Sequence, residues 1–256
     1  MGFTNSKLVN YTKISPNKTE NRNHTIDTIT IHCAVGQLSV ETLGDIFAPE
    51  SRKASSNYGV GYDGRIGMYV EEKDRSWCTS SRSNDHRAIT IEVACDPTAP
   101  YAVNSKAYNS LINLLVDICE RNHIKKLRWQ ADKDLIGQTS KQNMTVHRWF
   151  AATECPGEYL YNKMGSIASE VNKKLSSKND SNANKVNEFK SYTAKVIPTA
   201  LNVRKGPGMN YDVVDRIRDR GVYTIVAESA GVGSTKGWGK LKSGAGWISL
   251  DHVKKI

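Results

Sequence analysis

The sequence predicts an α/β domain, with a mixed central sheet flanked by helices, followed by a small all-β barrel. Three observations predict it. β-Branched runs with strand character alternate with helical stripes as far as residue 175. The stretch "SSKNDSNANKVN" (176–187) then interrupts the pattern with one apolar residue, Val186, among small, amide and charged ones. Beyond it the chain falls into short strand-like pieces separated by Gly and Pro. The expected organisation is a domain over 1–175, a flexible linker over 176–187 and a second domain over 188–256.

In chain order, "IDTITIHC" (26–33) is a β-branched, mostly buried strand with His32 near its end. "NYGVGYDGRIGMYV" places two short strands around Asp63-Gly64, a two-residue hairpin signal. "AITIEVAC" (88–95) is a third strand. From Ser105 to His123, Tyr108, Leu111, Ile112, Leu115, Ile118 and Cys119 recur at helical spacing, with Ser105 able to cap the helix. After Pro156-Gly157, Leu160, Met164, Ile167, Ala168, Val171 and Leu175 stripe a second long helix. In the last domain Leu201, Val203, Val214, Ile217, Val226, Leu241, Ile248 and Val253 are the expected core.

Composition narrows the functional classes. The 256 residues are 38% hydrophobic, enough for a core, and no apolar run approaches the roughly 18 residues of a membrane helix. The amino-terminal stretch has no apolar signal region, so synthesis in a cytoplasm is expected; Gly2 and Ser6 fit a myristoylation pattern short enough to arise by chance. Five cysteines without a CxxC pair or regular spacing argue against a disulfide framework and for thiols kept reduced, free to be buried or to bind metal. The net charge is +10, and residues 186–256 carry 12 Lys and Arg against 6 Asp and Glu, so the tail favours an anionic surface. A basic aromatic stripe of the kind that holds single-stranded nucleic acid is lacking, which argues against nucleic acid as the partner.

His32, His147 and Cys155 are the candidate metal ligands. A catalytic zinc site uses three such donors and keeps one position open. Cys155 directly precedes Pro-Gly at a helix start, where the free N–H groups and the helix dipole favour a thiolate. Glu92 stands in an otherwise apolar strand, where a carboxylate is costly unless paired or functional.

The stretches "IDTITIHCAVG", "SSNYGVGYDG", "SWCTSSRSNDHRAITIEV" and "VHRWFAATECPGEYL" occur in this order over 26–160. Together they resemble the zinc-dependent N-acetylmuramoyl-L-alanine amidases, whose fold is shared with phage T7 lysozyme and the animal peptidoglycan recognition proteins. The resemblance implies one zinc ion (Zn2+) per chain on His32, His147 and Cys155, with Cys155 where other branches use Asp. It implies Glu92 as general base, Tyr58 as a hydrogen-bond donor to the reacting oxygen, and Thr153 as a hydroxyl beside the oxyanion, where some members carry Lys. The substrate it implies is peptidoglycan, cut by zinc-activated water between N-acetylmuramic acid and L-alanine. Two departures stand out: Trp77-Cys78 replaces the family's Trp-His, with His86 as a nearby substitute, and Ile89-Thr90-Ile91-Glu92 replaces Ile-Gly-Ile-Glu.

"ALNVRKGPGMNYDVVDRI" with "GWGKL" and "GWISLDHV" resembles the bacterial SH3-like domain. That likeness implies cell-wall binding, with Tyr211, Trp238 and Trp247 as the aromatics to reach a ligand and a teichoic-acid-bearing Gram-positive wall as the anionic partner. The combined expectation is a phage endolysin of a Gram-positive, clostridium-like host, made in the host cytoplasm and acting on the wall after release. The rivals are a recognition protein that binds peptidoglycan without cutting it and a bacterial autolysin.

Overall fold

The computed structural model describes residues 2–186 and 189–256, with 178–186 described by backbone alone. The chain forms two compact units, Met1–Asp180 and Ser181–Ile256.

In the first unit the elements are β1 (Tyr11–Thr12), β2 (Lys18–Thr19), β3 (Thr28–Val35), α1 (Val40–Phe47), β4 (Tyr58–Val60), β5 (Ile66–Met68), β6 (Arg75–Ser76), α2 (Arg82–Arg87), β7 (Ala88–Cys95), α3 (Ser105–Arg121), β8 (Met144–Thr145) and α4 (Gly157–Val186). Six of the strands form one sheet in the order β1-β5-β4-β7-β3-β8, while β2 pairs with β6 separately. β7 runs parallel to both β3 and β4, and β4 antiparallel to β5, so the sheet is mixed as expected.

Strand alternation gives the sheet two distinct faces. Ile29, Ile31, Ile89, Ile91 and Tyr58 pack in one core with α3 and α4, whose expected stripe residues, Leu160 to Leu175, are all buried. The opposite face carries His32, Glu92 and Gly59 in one register row. It is covered by α1 and by Tyr69, which build a second cluster with Leu43 and Phe47. Gly59 is required there, because a Cβ would meet the Tyr69 ring at 2.7 Å.

Several expectations need correction. The α3 cap is Asn104, whose side chain accepts the Ala107 N–H at 2.9 Å, because the chain turns one residue before Ser105. The Asp63-Gly64 hairpin closes with Gly61 N–H donating to Arg65 O at 2.9 Å, a longer loop than the two-residue turn. The linker reading over 176–187 gives way to helix: α4 continues to Val186, and residue 187 lies outside the described residues. No Gly or Pro interrupts 166–186, and extending a formed helix needs only one more residue ordered per hydrogen bond. Cys33 and Cys95 are joined by a disulfide, contrary to the all-thiol reading. The register of β3 and β7 sets them on the same face of neighbouring strands, a closeness that sequence spacing does not show.

The second unit comprises β9 (Tyr192–Val196), β10 (Leu201–Arg204), β11 (Val213–Ile217), β12 (Val222–Ser229), β13 (Trp238–Leu241), β14 (Trp247–Ser249) and β15 (Val253–Lys255). These strands form one sheet in the order β11-β10-β14-β13-β12-β9-β15, with every pairing antiparallel. Leu201, Val203, Ile217, Leu241 and Ile248 share its core as expected, and Val253 packs against it. Val214 is instead 51% exposed, because β11 is an edge strand, and the buried residue of β12 is Ile225, one position before Val226.

Candidate metal centre

His32 comes from the carboxy-terminal half of β3 and is buried. Parallel pairing sets it directly opposite Glu92 of β7, so both side chains leave the same face of the sheet. β8 lies on the other flank of β3 and leads into a short 3-10 turn, His147–Trp149, that carries His147 to the end of that strand. The imidazole rings of His32 and His147 lie 5.1 Å apart. Cys155 follows in the next turn, with its carbonyl accepting the Arg148 N–H and its own N–H donating to Thr153 Oγ1 at 3.2 Å. Its sulfur sits 3.4 Å from His32 Nδ1. The three donors expected from the sequence therefore converge, with ligand atoms all within 4.8 Å of one another.

The electrostatics suit a cation. Burial, with His147 beside it, pushes His32 down to about 3, and burial lowers His147 as well, so both imidazoles are neutral at pH 7. A neutral imidazole is the form that binds metal. On His32 it is Nδ1 that faces the Cys155 sulfur and Glu92, so an ion in the cluster would take that nitrogen. The expectation that the helix start ionises Cys155 fails: burial, and the Glu92 carboxylate next to it, push the thiol up to about 12. A thiolate there needs a cation. Two neutral imidazoles and one cysteine sulfur, their ligand atoms within 4.8 Å of one another, fit zinc.

Glu92 joins the site, its Oε1 lying 3.9 Å from His32 Nδ1. Burial raises its carboxyl to about 7. Among the described residues no Lys or Arg lies within ion-pair distance of it, although the Arg52 charge opposes the effect of burial.

Tyr58 does not reach the centre. It pairs with Ile91, not Glu92, so it points to the α3 and α4 face. There its hydroxyl donates to Glu72 Oε1 at 2.7 Å and accepts the Ser6 N–H, and Arg121 completes the network through the same carboxylate. The motif letter matched, but the two-residue period of the strand turns the ring away. His86 is likewise structural: it is buried, and its Nδ1 accepts the Asn23 N–H at 3.1 Å.

Cys78 is the residue that sequence reasoning left out, read there only as a missing histidine. Its sulfur lies 3.9 Å from Glu92 Oε1, and with His32 and Glu92 it forms a second donor group within 4.8 Å. The loop holding it is fixed by Asp85, whose carboxylate accepts the N–H groups of Cys78 and Thr79. Arg22 holds that region in turn, its buried guanidinium donating to the carbonyls of Glu72, Asp74, Asp85, His86 and Ala88. A cysteine after tryptophan carries no signal by itself; only the loop's fold brings it to His32.

In the second unit, Trp238 and Trp247 lie on the face of β13 and β14 away from the core. Tyr211 is 43% exposed and Trp247 half-buried, whereas Trp238 is 3% exposed. The Gly231 loop and the Arg204 guanidinium, 6.0 Å above its ring, cover Trp238. Trp238 still lines a cavity of about 450 Å³ together with Arg204, Arg216 and His252; Tyr211 and Trp247 do not.

No curated protein sequence matches the chain. Among solved structures, a mutant endolysin from Bacillus subtilis is 20% identical, with a TM-score of 0.45 over 64% of this chain and 99% of that one. An N-acetylmuramoyl-L-alanine amidase from Clostridium intestinale is 20% identical, at 0.43 over 64% and 95%. A Drosophila peptidoglycan recognition protein is 16% identical, at 0.41 over 60% and 94%. The sequence model of the N-acetylmuramoyl-L-alanine amidases matches residues 22–158, more than half the chain, and that span contains His32, Glu92, His147 and Cys155. On that match, the chain belongs to the N-acetylmuramoyl-L-alanine amidase family.

Proposed function

We propose that this amidase is a zinc-dependent peptidoglycan hydrolase that cuts the bond between N-acetylmuramic acid and the L-alanine of the stem peptide, and that it works as a phage endolysin on Gram-positive walls. The convergence of His32, His147 and Cys155 on one point beside Glu92 carries the reading. A recognition protein that only binds its ligand has no need of this donor set with a carboxyl of raised pKa next to it.

Zinc, when bound, supplies Lewis acidity that polarises a carbonyl and acidifies water. The remaining work falls to the chain. Glu92, poised near 7, accepts a proton from water at neutral pH and returns it to the departing amine of L-alanine. Thr153 accepts the Cys155 N–H through its oxygen, and its own O–H is the donor we assign to the carbonyl oxygen as charge develops there. His32 and His147 stay neutral and rigid, one on a strand and one on a tight turn.

The second unit is proposed to be a bacterial SH3-like module that holds the enzyme on the wall. The net charge of +6 over residues 186–256 and the cavity where Trp238 meets Arg204 and Arg216 support an anionic, phosphate-bearing polymer as ligand. Such an anchor raises the effective substrate concentration of the amidase unit.

The deciding experiment incubates the full chain with purified Gram-positive walls, with and without a chelator, and identifies the newly freed ends. New L-alanine amino termini that disappear with chelator support the proposal. New reducing sugars would overturn it, and wall binding without new ends would favour the recognition reading.

A further inference from the structure

We infer that Arg148 is a positioning residue of the metal centre, tying the turn that carries His147 to the turn that carries Cys155. This rests on the zinc reading above and extends it to a side chain outside the donor set. His147 and Cys155 lie eight residues apart on irregular backbone. His147 opens a 3-10 turn that ends at Trp149, and no helix or strand follows until α4 starts at Gly157. Residues 152–154 between them are exposed, so burial does little to fix that stretch. Yet two donors to one ion must keep their metal distances to within about 0.2 Å. Among the described residues, every hydrogen bond from residues 147–151 to residues 153–158 is made by Arg148. Its main-chain N–H donates to the Cys155 carbonyl at 3.1 Å. Its guanidinium donates through Nη2 to the Glu154 carbonyl and through Nη1 to Glu158 Oε1, the latter at 2.8 Å. The other bonds stay on one side: Phe150 and Ala151 donate back to the His147 carbonyl, Cys155 N–H to Thr153 Oγ1, and Gly157 N–H to the Glu154 carbonyl. The Tyr161 ring, its centre 4.6 Å from the guanidinium carbon, completes the seat.

The seat asks for arginine in particular. A planar fork can donate to a carbonyl and a carboxylate at once while lying over a ring, whereas the ammonium of lysine is a point charge that cannot keep all three contacts. The Glu158 arm is the lesser one, because that carboxylate is 62% exposed and such pairs contribute little. The Glu154 arm matters more, since it holds the residue next to a proposed ligand. Without the fork, the Cys155 turn can drift from His147 while β3 still holds His32 in the sheet. The loss therefore falls on the metal affinity of the folded protein more than on folding itself.

The test separates affinity from stability. Full-length parent protein is first analysed for zinc per chain; a parent that retains none would overturn the zinc reading and this inference with it. Zinc affinity is then measured by competition with a chelating indicator, beside denaturant unfolding of the same proteins in chelator. Folded Arg148→Ala should bind zinc roughly 10–100-fold more weakly than the parent, the usual worth of a residue that orients a ligand, and Arg148→Lys should fall between the two. An arginine that only supports the fold would lower the unfolding midpoint and leave the zinc affinity of the folded protein unchanged. That result would overturn the positioning role while leaving the zinc centre standing. Should Arg148→Ala fail to fold, Arg148→Lys decides the matter: weaker zinc binding supports the role, and affinity equal to the parent's overturns it.

Discussion

The sulfur of Cys155 lies 3.4 Å from Nδ1 of His32, although 123 residues of chain separate them. One residue is fixed in the sheet and the other in a turn before α4, so their contact depends on the whole first unit being folded. Cys155→Ser should cost more in zinc affinity than the roughly 10–100-fold typical of an outer-shell partner. Cys155→Asp, which keeps an anionic donor, should recover most of the metal. Metal analysis after dialysis checks both, and full zinc retention in the serine variant would remove Cys155 from the ligand set.

Glu92→Gln should keep its zinc and lose about 10²–10⁴-fold in turnover, the usual worth of a positioned general base. Turnover within a few-fold of the parent would mean that another group moves the proton.

The same carboxyl makes a stability prediction for metal-free protein. Its folded pKa is raised by burial from 4.5 to about 7, so the folded state holds the proton more tightly than the unfolded chain. Its contribution to stability is full below about pH 4.5 and is lost as pH rises through about 7, by up to ~3 kcal/mol. Chelated Glu92→Gln should therefore unfold at higher denaturant than chelated parent at pH 8, with the gap closing at pH 4.5. A gap that widens on acidification would contradict the assignment.

Tyr58→Phe removes a buried hydrogen bond to the Glu72 carboxylate without touching the metal face. A loss of roughly 1.5–3 kcal/mol in stability is expected, with turnover per folded molecule unchanged. A large fall in turnover at full stability would restore a catalytic part for the tyrosine.

Arg216→Gln in the second unit should weaken sedimentation with Gram-positive walls several-fold at low salt and little at high salt, since a charge contact is screened by ions. Hydrolysis of soluble wall fragments should be untouched. Equal loss of binding at both salt concentrations would point away from an anionic polymer.

The elements of the first unit were legible because their signals are local. β7 falls on Ala88–Cys95 as the β-branched run indicates, and the stripe from Leu160 to Leu175 is buried along α4. The candidate ligands His32, His147 and Cys155 were picked out through order and motif, and the fold brings their donor atoms within 4.8 Å of one another. Tyr58 was misread because a matching motif does not state which face of a strand a side chain takes; its partner Ile91 decides that. Cys78 and the Cys33–Cys95 bond were hidden because each depends on pairing between distant segments. The helix over 176–186 was missed because a polar composition resembles a coil in the absence of a breaker.

The Cys33–Cys95 bond lies on the helix-packed face of β3 and β7, directly behind the row that holds His32 and Glu92. It joins the two strands that carry His32 and Glu92, and so bears on the spacing between a proposed metal ligand and the proposed base. In oxidising surroundings that spacing is covalently enforced from behind; where thiols are kept reduced, the backbone ladder alone maintains it.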